Sequence, residues 1–247
     1  MANDSSTVDL ERPILEQVGE LSDYWAWVHR SQKPGRSLRI FRSGFLEPLS
    51  HIPWWLVVVV WVPVSIGLAV YALTLGGLTP RRLFWLALTG LFVWTFVEYA
   101  LHRFVFHHPV STPVGRRIHF LGHGIHHLDP WDRMRLVFPP LAAALIALPV
   151  FGLLYLSVLW TAAPLANAAA LMAGLLVGYL VYDLSHYYQH HGRPRSRVGK
   201  WLKRYHLEHH HKSPEALYGV SNPLWDILLR TGRASARQLP AAQKSLR

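Results

Sequence analysis

No cysteine occurs among the 247 residues. That excludes thiolate-held iron–sulfur clusters, thiolate haem and cysteine-built zinc sites, and leaves the redox compartment open. Acids are sparse, 14 Asp and Glu against 25 Lys and Arg, for a formal charge of +11. The N-terminus, with Asp4, Asp9 and Glu11, lacks a basic stretch leading into an apolar one, so no cleaved signal peptide is expected. No glycine-rich phosphate loop and no His-Glu-x-x-His protease helix is present. Glu208-x-x-His211 is one Glu-x-x-His motif, whereas a carboxylate-bridged di-iron bundle needs two, with two further Glu. There is no internal repeat at a solenoid period.

What is abundant is apolar. Hydrophobic residues make up 51% of the chain, with 11 Trp, and they are gathered into long runs. Such runs describe an all-α integral membrane protein. Four spans are predicted, at about 52–75, 83–101, 141–160 and 165–184, each long enough to cross a hydrocarbon core of about 30 Å. The short turns at 76–82 and 161–164 make two helical hairpins. Gly174 and Gly178 read as helix-packing residues. Pro63 is expected to kink the first span.

Residues 1–50 form an N-terminal segment. Its apolar stripe, Ile14, Val18, Leu21, Trp25 and Val28, reads equally as a surface helix packed on the domain or an interfacial helix lying on lipid. Residues 51–231 form the membrane-bound domain, and 232–247 a basic flexible tail. Of the 25 Lys and Arg, only Arg81 and Arg82 lie on the side of the short turns. Both termini and the long central loop are therefore expected in the cytoplasm. The basic residues flank apolar runs, which favours a membrane surface over nucleic acid.

That orientation puts all 16 histidines at one side or its interface. Ten fall in four clusters: His102 and His107; His123, His126 and His127; His186 and His190; His206, His209 and His210. The triplets have i, i+3, i+4 spacing, which presents three imidazoles from one helical face. His102 and His107, five apart, cannot share an α-helical face, so the helix must end or bulge between them. Ten imidazoles exceed the need of one ion and allow about five for each of two, with a position left for oxygen or hydroxide. A structural zinc site needs four ligands and no opening. The set therefore leans towards redox or oxygen chemistry in a helical cap carrying two metals. Neutral imidazole suits several metals, and zinc could occupy an iron site in purified protein.

Only two acids, Glu98 and Asp183, lie within the predicted spans, where acids are costly. Glu98 precedes His102 by four residues and Asp183 precedes His186 by three, so each is expected to hydrogen-bond a ligand or its neighbour. Tyr182 also stands beside the third cluster.

Glu98-Tyr99-Ala100-Leu101-His102-Arg103-Phe104-Val105-Phe106-His107 resembles the first histidine motif of the fatty acid hydroxylase superfamily. His119-Phe120-Leu121-Gly122-His123-Gly124-Ile125-His126-His127 continues the resemblance. So do Gly178 to His190, Leu202 to His210, and Gly219-Val220-Ser221 with Trp225-Asp226. The likeness is strongest to fatty acid 2-hydroxylases acting on sphingolipid acyl chains. Carried over position by position, it implies the same ten ligands, with His119 and Asp226 joining Glu98, Asp183 and Tyr182 around them. His108, His191 and His211 stay outside the set, and His29 and His51 are expected at the membrane interface.

The resemblance implies a di-iron centre that uses O₂ to place a hydroxyl at C2 of a fatty acyl chain. Many eukaryotic members carry a cytochrome b5 domain that is not seen here, so the expected electron donor is a separate protein of cytochrome b5 or ferredoxin type. Rival expectations are a sterol or carotenoid hydroxylase or desaturase, a zinc-dependent ceramide amidase, and a zinc transporter. Transporters place ligands near the bilayer midplane, whereas these lie at one edge.

Overall fold

The computed structural model describes residues 8–232 apart from Lys33 and Gly35. The expected tail lies, apart from Gly232, outside the described residues. Among the described residues the regular elements are all helical. Two short helices, α1 (Ile14–Val18) and α2 (Tyr24–Val28), precede the spans α3 (Trp54–Leu73) and α4 (Pro80–Leu101). A π-helical turn, His102–Phe106, extends α4. Next come α5 (Pro113–His119), a second π turn (Phe120–Gly124) and α6 (Ile125–Leu128). The spans α7 (Pro140–Ser157) and α8 (Pro164–His191) follow, then α9 (Arg197–Lys212) and α10 (Leu224–Leu228).

Proline starts many of these helices. Pro80, Pro113, Pro140 and Pro164 occupy first-turn positions, where a missing N–H costs nothing and φ is already helical. Thr79 caps α4 by accepting from the Arg82 amide at 3.2 Å, which is why this span begins three residues before its predicted start at 83. The fourth span departs further from its predicted end at 184. It stays helical to His191 because Asp183, His186 and Gln189 are buried against the cap rather than exposed at a membrane edge.

The helix α8 is the hub. It is enclosed for most of its length, while α7 turns Leu141, Leu145, Leu148, Leu153 and Leu156 outward, a lipid-facing stripe. Four helices, α3, α4, α7 and α8, are long and apolar enough to cross a membrane. Backbones of α4 and α8 approach closely at glycines. A Cβ at Gly174 would lie 1.8 Å from the Ala87 carbonyl oxygen, and one at Gly90 would lie 1.9 Å from that of Leu171. Gly174→Ala is therefore expected to cost about 1–3 kcal/mol through overpacking. Gly152→Ala, with open space around it, should be neutral or stabilising because alanine favours helix. Thermal unfolding in detergent compares the two; equal midpoints would refute the close approach.

The N-terminal stripe divides rather than forming one helix. Ile14, Val18, Leu21, Tyr24 and Val28 are buried in a second core with Leu38, Phe120, Ile125 and Leu128. This is the packed-on-domain alternative, with α1 against α5 and α2 against α6. Each such side chain contributes about 1.5–3 kcal/mol through burial. Residues 38–50 are held down by Arg135, whose guanidinium is buried, pairs with Glu47 and donates to the Leu38 carbonyl.

Candidate metal centre

Both π turns serve the histidines. A π turn closes i→i+5 hydrogen bonds, and the His107 amide donates to the His102 carbonyl at 3.0 Å. The bulge required by the five-residue spacing is thus present, and it swings His107 round to the same pocket as His102. The second π turn delivers His123, with α6 carrying His126 and His127 directly after it.

All ten histidines converge, in two nests. His102, His107, His123, His127 and His209 form one; His126, His186, His190, His206 and His210 form the other. Within each nest the ligand-capable nitrogens lie within 4.8 Å of one another. The triplets do not go to one nest each. His123 and His127 enter the first nest while His126 enters the second; His206 and His210 enter the second while His209 enters the first. This reciprocal exchange ties the nests together, and the rings of His127 and His210 stack across the boundary with centroids 4.2 Å apart.

The spacing of the inward nitrogens is informative. Nε2–Nε2 separations are 3.2 Å for His102–His123, 3.0 Å for His127–His123, 3.1 Å for His127–His107 and 3.1 Å for His209–His107. In the second nest they are 2.9 Å for His126–His210 and His186–His126, and 2.8 Å for His190–His206. Two nitrogens bound at about 2.05 Å on perpendicular axes would stand about 2.9 Å apart, and on tetrahedral axes about 3.3 Å. The separations fit five- or six-coordinate geometry.

The charge state agrees. His102 and His209 donate from Nδ1 to the carbonyls of Tyr218 (2.5 Å) and Ala216 (2.6 Å), so their Nε2 atoms present lone pairs. Burial, reinforced by neighbouring rings, holds His107, His126, His127, His206 and His210 well below the usual imidazole pKa. Converging unprotonated lone pairs fit a cation, and the residues present therefore suit two metal ions.

The surrounding groups lie close by but act differently from expectation. Glu98 has no hydrogen bond to a histidine ring: it accepts from the amides of Val220 (2.8 Å) and Ser221 (2.7 Å) and from the Ser221 hydroxyl. Asp226 accepts from the amides of Tyr218 (3.0 Å) and Gly219 (2.6 Å) and from the Thr231 hydroxyl. Both carboxylates fasten the loop whose carbonyls hold His102 and His209. Asp183 likewise misses His186, accepting from the Phe138 amide at 3.2 Å and the Tyr179 hydroxyl at 3.1 Å. Neither Glu98 nor Asp183 makes the hydrogen bond to a ligand ring that its spacing allowed: the Tyr218 carbonyl takes the His102 N–H, and the Phe138 amide and Tyr179 hydroxyl occupy Asp183. Tyr182 packs its ring 5.8 Å from that of His186.

His119 donates from Nε2 to the Phe106 carbonyl at 2.6 Å and accepts at Nδ1 from the Tyr24 hydroxyl at 2.5 Å. Burial holds its pKa down near 4. It clamps the π turn just before His107. His29 departs from its expected interfacial place: its ring lies 4.8 Å from His127 and 5.5 Å from His107, with Trp25 on its other side at 4.5 Å. Only the apolar stripe marked Trp25 in the sequence, and nothing there marked Tyr24 or the carbonyls of residues 216 and 218. His108 and His211 are exposed, and His191 lies outside both nests.

Two cavities lie near the nests. One of about 400 Å³ reaches His123, His126 and His186 and is walled by Leu46, Leu121 and Val137. It shares Phe106, Phe138 and Tyr182 with an apolar pocket between the spans. Phe84, Trp85, Phe92 and Phe96 instead face outward, so most aromatics of α4 are lipid-facing.

Fold and site together define an all-helical integral membrane protein with a histidine-rich, metal-binding type of cluster at one end of its spans. The chain belongs to the fatty acid hydroxylase family, whose model matches residues 87–231, and it is accordingly a hydroxylase. It is 40% identical over 226 residues to a dihydroceramide fatty acyl 2-hydroxylase of Arabidopsis thaliana, covering 91% of this chain and 93% of that one. It is 38% identical over 234 residues to the ceramide very long chain fatty acid hydroxylase of Saccharomyces cerevisiae, covering 91% of this chain and 58% of that one. The hydroxylase domain visible in the structure of full-length scs7p superposes with a TM-score of 0.84 at 36% identity, covering 93% of this chain and 86% of that one.

Proposed function

We propose that this protein is an O₂-dependent hydroxylase that places a hydroxyl on C2 of a fatty acyl chain, carried by a ceramide or related sphingolipid or as a fatty acid. The observation that carries the reading is the convergence of ten imidazole nitrogens in two adjoining five-membered nests beside a largely apolar cavity that reaches His123, His126 and His186. The curated relatives named for dihydroceramide or ceramide substrates support the choice of lipid.

A pair of redox-active ions, with iron expected, supplies the dioxygen chemistry when bound. The chain would take up O₂, two electrons and two protons, leaving one oxygen atom on C2 and releasing the other in water. His102, His107, His123, His127 and His209 would hold one ion, and His126, His186, His190, His206 and His210 the other. Phe106, Phe138 and Tyr182, at the junction of the two cavities, would hold the acyl chain with its C2 towards His123 and His186 and exclude water. Asp183 fixes the Phe138 amide and so sets that wall. Electrons would come from a separate carrier of cytochrome b5 or ferredoxin type. The basic surplus favours the cytoplasmic side for the nests, where it would also steer an acidic carrier.

Expression in a host without 2-hydroxy lipids, followed by lipid mass spectrometry, tests the reading. A new 2-hydroxyacyl sphingolipid or fatty acid is expected. Hydroxylation of a sterol or carotenoid, or O₂-independent cleavage of the ceramide amide, would overturn it.

A further inference from the structure

The loop 216–221 treats the two nests unequally. In the first, His102 and His209 each give their Nδ1 proton to a loop carbonyl. In the second, the Nδ1 atoms of His126, His206 and His210 are buried without a protein partner among the described residues; in the first, this holds for His107 and His127. A ring whose outer N–H is held by an acceptor is fixed in tautomer and orientation, and its inner nitrogen is more basic.

Both loop carbonyls flank Leu217, which has φ +64°. That left-handed conformation is uncommon for leucine and is sustained only when the surroundings impose it. Here they do. The Leu217 amide donates to the Thr231 carbonyl at 2.9 Å, its side chain is fully buried, and Asp226 and Glu98 hold the amides of residues 218–221.

We propose that Leu217 is a positioning residue whose left-handed backbone sets the carbonyls of residues 216 and 218 against His209 and His102, so that the first nest binds its ion more tightly than the second. This deepens the metal-site reading above and rests on it. The first nest fills first and empties last; the second holds the exchangeable ion.

The experiment uses the full-length protein loaded with zinc and challenged with excess EDTA. Zinc release is followed in time, and anomalous scattering from partly stripped crystals locates the ion that remains. Wild type is expected to hold two ions and lose them in two phases, with His126, His186, His190, His206 and His210 vacated first. In Leu217→Val the slow phase should quicken by about 10–100-fold, the usual effect of losing a ligand's outer partner, because a β-branched residue resists positive φ. Leu217→Gly adopts positive φ freely and should keep the slow phase.

A packing role for Leu217 predicts the reverse order, since glycine removes more buried side chain than valine. Release of both ions in one phase, first-nest release before the second, or Gly faster than Val would overturn the proposal. Should Leu217→Val fail to fold, Asp226→Asn replaces it: a quickened slow phase supports the proposal and an unchanged one overturns it. Wild type binding fewer than two ions would instead overturn the metal reading itself.

Discussion

Replacing His209 with alanine is expected to abolish hydroxylation and to reduce bound metal from two ions per chain to one. His209 is fully buried, its Nε2 lies 3.1 Å from that of His107, and its Nδ1 donates to the Ala216 carbonyl. Alanine would leave four nitrogens in the first nest, a cavity in place of the ring, and a buried carbonyl without its donor, which is costly by itself. The second nest keeps all five of its rings, so one ion should remain. The loss in activity should exceed the roughly 10–100-fold that follows removal of a ligand's outer partner, because a ligand itself is gone. His211→Ala is the matched control, two residues away, exposed and outside both nests. It should retain two ions and full product by metal analysis and lipid mass spectrometry. Wild-type turnover with two ions in His209→Ala would remove His209 from the ligand set.

The contrast between His209 and His211 also marks what can be read from a chain of letters. Four long apolar runs were enough for the spans. The ten-histidine set was legible because a helix with i, i+3, i+4 spacing presents its rings together, and because five-residue spacing at His102–His107 demanded a bulge. The reciprocal exchange of His126 and His209 between nests was not legible. It depends on where two separate helices cross, and a local period holds no record of that. The outer contacts were misassigned for a related reason. Glu98 and Asp183 were the only acids within the predicted spans, which made them natural partners for the rings. Two of the rings, His102 and His209, instead use backbone carbonyls, which every residue possesses and which leave no mark in a sequence. Leu217 is the extreme case: a leucine between alanine and tyrosine gives no sign of positive φ. His29 was expected at the membrane interface, yet the stripe beside it packs onto the cap, one of the two alternatives the sequence left open, and carries His29 against His127.

Acid should destabilise the metal-free cap steeply, and bound metal should delay the loss. Seven histidines outside the spans, His107, His123, His126, His127, His206, His209 and His210, have pKa values held well below 6.5, first by burial and then by repulsion among rings. In the unfolded chain each returns to about 6.5. Between that value and the depressed folded ones, the unfolded state binds protons that the folded state refuses. Stability therefore rises with pH in this window; it is complete above about 6.5 and is lost as pH falls below it. Each ring contributes up to about 1.4 kcal/mol per pH unit. Several rings acting together would exhaust a typical reserve of about 5–15 kcal/mol within one or two units. Metal competes with protons for the same Nε2 lone pairs and binds the folded state, so the acid midpoint should move to lower pH as free metal rises. Circular dichroism and intrinsic Trp fluorescence across pH 4–8, with and without zinc, measure both effects. A metal-free protein equally stable at pH 5 and pH 7.5 would show that these rings are not buried as free bases. A midpoint indifferent to zinc would show that the lone pairs do not face an ion.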